Sequence, residues 1–165
     1  MACPETGPEE RRLLQDYVDV PLPIETLRAR YGGGRWLAPL AVAAEADGET
    51  LLMRIGPSWA GGRITREVRV TVGTSRPRGN GFVVPIRWET VDLQQLFPVL
   101  EGDIEIVPLG ERDCRIFLYA SYIPPLGELG LGLDRALLYR AAESTTRSFL
   151  QRLATGLEGG ATESG

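Results

Sequence analysis

The chain changes its hydrophobic period twice. Near the start, "DYVDVPLP" sets Tyr17, Val18 and Val20 against Asp16 and Asp19 before meeting prolines, the pattern of a short strand. "PIETLRARYG" then puts Ile24, Leu27 and Tyr31 on one side, with Pro23 early and glycines after, which predicts a short helix. "RWLAPLAVAAEADG" spaces Trp36, Leu37, Leu40 and Ala44 helically and predicts a second. The period then becomes two. "ETLLMRIG" reads as a strand, and "RITREVRVTVGTS" alternates Ile64, Val68, Val70 and Val72 with polar residues. "GFVVPIRWETV" alternates Phe82, Val84, Ile86 and Trp88 with Val83, Pro85, Arg87 and Glu89. "DIEIVPLG" and "DCRIFLYASY" predict a further hairpin around "GERD".

A helical period returns after Tyr122. Leu129, Leu133, Leu137, Ala141 and Ser144 mark one side, and Phe149, Leu150, Leu153 and Leu157 carry the apolar content on. About thirty such residues would reach roughly 45 Å, enough to cross a sheet. The seam before this helix, "ASYIPPLGELGLGLDRALL", joins Pro124 and Pro125 to Gly127, Gly130 and Gly132. The prolines cannot donate to a ladder and end the strand, while the glycines allow a helix to pass close to the sheet. The spacing G-x-x-G-x-G, after a strand in an antiparallel hairpin, does not fit a phosphate loop.

Short connections predict antiparallel pairing throughout. Between the two longest alternating strands, "RPRGN" reads as a turn. Placing Glu67 opposite Arg87 pairs unlike charges; it also sets Val68 opposite Ile86 and Arg66 opposite Trp88. A shift of two residues would oppose Glu67 to Glu89. Pro85 then points outward, which fits a sheet edge or a bulge. The order of strand, two short helices, strands and one long helix predicts an α+β fold: a curved antiparallel sheet of six or seven strands wrapped around the C-terminal helix. The domain is expected to span 16–157, with disordered polar tails at 1–15 and 158–165.

Composition narrows the chemistry. The chain has 165 residues, net charge -4, no histidine, and 18 basic residues that are all arginine. The commonest general base and metal ligand are therefore missing, as are the ammonium groups used for Schiff bases and phosphate loops. The mixed, mildly acidic charge argues against nucleic-acid binding. No apolar run approaches the roughly 20 residues of a membrane span. Without a signal-like N-terminus the expected compartment is the cytoplasm. Cys3 and Cys114 do not suggest a disulfide, and Cys114 has no histidine to activate it.

Beyond these readings, "LFPVLEGDIEIVPLG" followed by "RIFLYASYIPPLGELGLGLDRALLYRAAESTTRSFL" resembles a bacterial branch of the SRPBCC superfamily. That superfamily has the helix-grip fold and includes START-like lipid carriers, pollen-allergen-like proteins and polyketide cyclase/dehydrase proteins. The likeness in sequence runs from about Leu96 to Leu150. It implies a cavity between sheet and terminal helix that holds a lipid, polyketide or similar apolar molecule, without a cofactor or metal, in a monomer or homodimer. The alternatives are a cyclase/aromatase-type enzyme using Arg, Tyr, Glu and water, and a protein-interaction module with a filled interior.

The candidate ligand residues are Arg66, Trp88, Tyr122, Trp59, Leu118, Leu133 and Leu137. Tyr122 and Glu143 are the candidate acid/base groups. Each has a plainer reading. Arg66 would reach solvent at a strand end, and Tyr122 would be core with its hydroxyl tied to backbone. Glu143 would form surface ion pairs with Arg140 and Arg147, and Trp59 in "GPSWAGGRI" would be a packed lid rather than a gate.

Overall fold

The computed structural model describes residues 11–31, 43–44, 50–55, 66–90, 99–122 and 135–162. For 31, 43–44, 50–55, 66–67, 90, 135–138, 141 and 160–162 the description covers the backbone. The elements are β1 (Arg12–Val20), α1 (Ile24–Tyr31), β2 (Ala43–Ala44), β3 (Thr50–Ile55), β4 (Arg66–Val72), β5 (Arg76–Arg78), β6 (Gly81–Thr90), β7 (Leu100–Pro108), β8 (Cys114–Tyr122) and α2 (Arg135–Thr162). The strands form one antiparallel sheet in the order β1-β8-β7-β6-β4-β3-β2, with β5 also on β6. Six of the strands are long and two are very short, so the expected helix-grip architecture stands.

Burial follows the period-two pattern. Val68, Val70 and Val72 of β4, Phe82, Val84, Ile86 and Trp88 of β6, and Ile104 and Ile106 of β7 are buried on one face. Ile116, Leu118, Ala120 and Tyr122 of β8 complete it. Helix α2 covers this face with Phe149, Leu150, Leu153, Ala154 and Leu157, all buried, at the three- and four-residue spacing of one helical stripe. Its 28 residues extend over about 42 Å. The α2 backbone comes nearest β1 and β3, which lie toward opposite margins of the sheet, so the sheet curls around the helix.

The β4–β6 register differs from the expected one by four residues. Val68 faces Thr90, Val70 faces Trp88 and Val72 faces Ile86, so Arg66 is not opposite Trp88. The cause is the connection. Arg76–Arg78 is a strand, not part of a loop, and the turn is only Gly79–Asn80. Gly79 has φ +56°, and Asn80 is not at positive φ, the signature of a type II′ hairpin. Strands β4 and β5 run along the same edge of β6, and the three residues Gly73–Ser75 oppose only Val84 and Pro85. This is a β-bulge. The Gly73 N–H donates to the Pro85 carbonyl at 2.7 Å, and the donor Pro85 lacks falls on the same interrupted edge. Charge matching survives in another form, with Arg69 opposite Glu89.

Three further boundaries differ. Strand β1 begins at Arg12, four residues before the expected start, because it pairs along the whole of β8 from Arg12–Tyr122 to Val20–Cys114. Its faces also differ: Asp16 shares the inner side with Leu14, Val18 and Val20, while Tyr17 is 54% exposed on the convex side. Tyr17 stays there because Phe117 lies 5.9 Å away and the Arg115 guanidinium sits 4.3 Å over its ring. Asp16 is tolerated inside because it lies on an edge strand where Arg147 of α2 reaches it, Nε to Oδ2 at 3.1 Å. Ala43–Ala44 pair with Leu52 and Leu51 as strand, where a helix was expected; the rest of that predicted helix lies outside the described residues. Helix α2 continues through Thr162, beyond the expected end at Leu157, and the Pro–Gly seam lies outside the described residues.

Strands β7 and β8 approach closely at Gly102. A Cβ there would lie 2.3 Å from the Tyr119 carbonyl oxygen and 2.7 Å from the Ala120 Cα, so only glycine lets β7 and β8 approach this closely. Gly102→Ala should lower the unfolding free energy by about 1–3 kcal/mol in urea titration. Gly110→Ala, in an open turn with nothing within 4 Å of the added methyl, should change it by less than about 0.5 kcal/mol.

Candidate ligand-binding site

The inner face is built in rows set by the pairing register. One row runs Val72, Ile86, Gly102, Ala120, Leu14. The next runs Val70, Trp88, Leu100, Tyr122, Arg12. On the other side lie Val84, Ile104, Leu118 and Asp16. The middle row therefore has its two smallest residues at its centre, between rows of branched and aromatic side chains. In the neighbouring row Trp88 meets Phe149 of α2 edge-on, with ring centroids 5.4 Å apart and planes at 66°.

Helix α2 starts above the Tyr122 end of the trough. Tyr122 is buried, and its phenol is pushed above its ordinary value by that burial, helped by Tyr139 and Glu143 and opposed by Arg12. Tyr139 hydrogen-bonds Glu143 one turn along α2, which holds the Tyr139 proton more tightly. Glu143 is exposed and points to this rim, not to the inner face. The ion pair of Arg147 is with Asp16, not with Glu143. That contact ties the helix to the sheet margin.

The sequence candidates divide as follows. Trp88, Leu118 and Tyr122 lie on the inner face, with Trp88 and Tyr122 in the same row across Leu100. Arg66 pairs with Ile55 and stands four residues along β4 from the partner of Trp88, about 13 Å away along the strand. Their proposed stacking is lost with the register. Leu137 belongs to α2 through its backbone alone, and Trp59 and Leu133 lie outside the described residues. Sequence reasoning missed Gly102, Asp16 and the hydroxyls of α2; the run "ESTTRS", polar in an otherwise apolar stripe, was the available signal.

At the opposite end of the sheet Cys114 is fully buried against Val20 and Pro108. Burial, with Asp113 adding and Arg28 opposing, pushes its thiol up to about 11. The convex face is different in kind. Arg87 is ion-paired with Glu101, Arg78 with Glu105 and Arg115 with Asp19. An open depression of about 500 Å³ lies there among Thr71, Pro85, Arg87, Glu101 and Asp103, and Gly102 also lines it. Its rim carries the charged side chains of Arg87, Glu101 and Asp103. Among the described residues no three potential ligands gather to hold a metal, and no helix is long and apolar enough to cross a membrane.

No family profile and no curated protein matches the sequence. Solved structures do match in fold. The Zhui aromatase/cyclase from Streptomyces sp. R1128 aligns with TM-score 0.55 and 17% identity, over 90% of this chain and 94% of that one. A protein from Thermus thermophilus aligns with TM-score 0.56 and 18% identity, over 90% and 99%. A START superfamily protein from Mycobacterium smegmatis aligns with TM-score 0.50 and 17% identity, over 92% and 97%. The chain shares the helix-grip fold of these proteins.

Within this fold two titrations are informative. At pH 8 a thiol near 11 is about one part in a thousand thiolate, so iodoacetamide should modify Cys114 only after unfolding, as read by peptide mass. Tyr122 keeps its proton longer in the folded chain than in the unfolded one. Its contribution to stability is therefore full below about pH 10 and lost as pH rises through the higher folded value. The urea midpoint of the native chain should fall more steeply above pH 10 than that of Tyr122→Phe.

Proposed function

We propose that the chain binds a small hydrophobic molecule between the concave face of the sheet and α2. The supporting observation is the row through Gly102 and Ala120. It places the least side-chain volume at the centre of the trough, beside Trp88, Leu100 and Tyr122, while the helix backbone comes nearest the margins. Concave, mostly apolar recesses with a few polar groups are where proteins hold small ligands. The similar folds include a protein described as an aromatase/cyclase and one described as a START superfamily protein. They fit a role in handling a small hydrophobic molecule without specifying a ligand.

Binding is favoured over catalysis by the disposition of the acids. Among the described residues the carboxylate on the inner face is Asp16, held by Arg147, and Glu143 lies at the rim with Tyr139. Neither stands over Gly102 and Ala120, so an acid/base step there would have to rely on the Tyr122 hydroxyl.

The test uses N-phenylnaphthylamine, a neutral dye that brightens in apolar surroundings. The native chain should bind it saturably at one site. Ala120→Phe, which fills the centre of the trough, should weaken binding at least tenfold while the far-ultraviolet circular dichroism stays the same. No binding by the native chain would overturn the proposal.

A further inference from the structure

Two hydroxyl groups on α2 are buried and make no hydrogen bond: Thr145 Oγ1 and Ser148 Oγ. They are three residues apart, hence neighbours on the helix surface, with Ser148 at the edge of the buried stripe, about 100° round the helix from Phe149. Thr145, only 4% exposed, precedes Phe149 by one turn and shares its side of the helix, on the Tyr122 half of the trough.

The same helix shows what a hydroxyl without other work does. Thr146 donates to the Ala142 carbonyl at 2.8 Å, and Thr155 donates to the Gln151 carbonyl at 3.0 Å. Thr145 and Ser148 have equivalent carbonyls one turn back and do not use them. A buried polar group without a partner is costly, and native chains seldom keep two side by side.

We infer that Thr145, with Ser148 beside it at the edge of the buried stripe, is the polar anchor of the trough and that its ligand carries an uncharged oxygen, as a ketone, ester carbonyl or hydroxyl, on an apolar frame. This inference rests on the proposed binding function and narrows its ligand class. Hydroxyls can donate to such an oxygen and accept from a ligand O–H. A carboxylate is disfavoured. Asp16 puts negative charge on the inner margin, and the arginine that reaches it, Arg147, lies on the exposed side of α2.

Three probes of one shape separate the possibilities: ethylnaphthalene, acetylnaphthalene and naphthoate, compared by calorimetric titration. The native chain should bind acetylnaphthalene about five- to tenfold more tightly than ethylnaphthalene, the effect of one or two hydrogen bonds made in a dry site. Naphthoate should bind more weakly than acetylnaphthalene. In the double variant T145V/S148A the acetyl compound should lose its advantage, whereas Ser121→Ala on the convex face should keep it.

Equal affinity for the ethyl and acetyl compounds, or tightest binding of naphthoate, would overturn the inference and leave hydrophobic binding intact. Failure of all three probes to bind would overturn both. Thr145→Val supplies a readout without ligand. Its urea midpoint should equal or exceed that of the native chain, because an unpartnered hydroxyl is removed. A lowered midpoint would show that the hydroxyl is already satisfied within the protein and would also overturn the inference.

Discussion

One apolar helical stripe against one apolar sheet face governs this structure. Phe149, Leu150, Leu153 and Leu157 leave water only because the inner residues of β4, β6, β7 and β8 leave it with them. Among the described residues neither surface has another partner of comparable size. The ring contact between Phe149 and Trp88 spans the trough where the helix backbone stands away from the central strands. Polar links at the margin, Asp16 with Arg147 above all, set where the helix lies but are too exposed to supply much stability.

The two faces of the sheet are held by different forces. The concave side is apolar. The convex side is laced by Arg87 with Glu101, Arg78 with Glu105 and Arg115 with Asp19, and by stacking of Phe117 on Tyr119 at 5.6 Å. Such cross-strand pairs act locally and specify register more than they add stability. With arginine as the only basic side chain, these pairs draw on a guanidinium that can bind a carboxylate through two N–H groups. Arg115 does this with Asp19, at 2.6 and 2.9 Å.

The sequence made the faces of β4, β6 and β8 legible, because a period of two survives any register shift by an even number of residues. For the same reason it could not give the register itself. The charge pairing of Glu67 with Arg87 was a plausible local signal, but Arg69 with Glu89 satisfies the same rule four residues away. What decides between them is the bulge at Gly73–Ser75, visible only once Arg76–Arg78 is known to be a strand. In β1 the adjacent apolar residues Tyr17 and Val18 obscured the alternation, and only long-range contacts with Phe117 and Arg147 resolve which one faces in. Trp88 and Tyr122 were legible as inward residues. The anchor hydroxyls were not, because a threonine or serine in a helix normally bonds its own backbone, and whether it does so is a property of the folded surroundings.

The pairing of β1 with β8 has a consequence for how the molecule comes into being. Its contacts join residues about a hundred positions apart, and the bond from Arg147 to Asp16 joins residues 131 positions apart. Closing loops of that length costs entropy before any burial is gained, so the search for the native topology should be slow beside that of a helical bundle. During synthesis the first strand must wait, unmated, until the last strand and then the final helix have left the ribosome. The nascent chain therefore spends most of its elongation with an open sheet edge and a greasy surface in need of shelter.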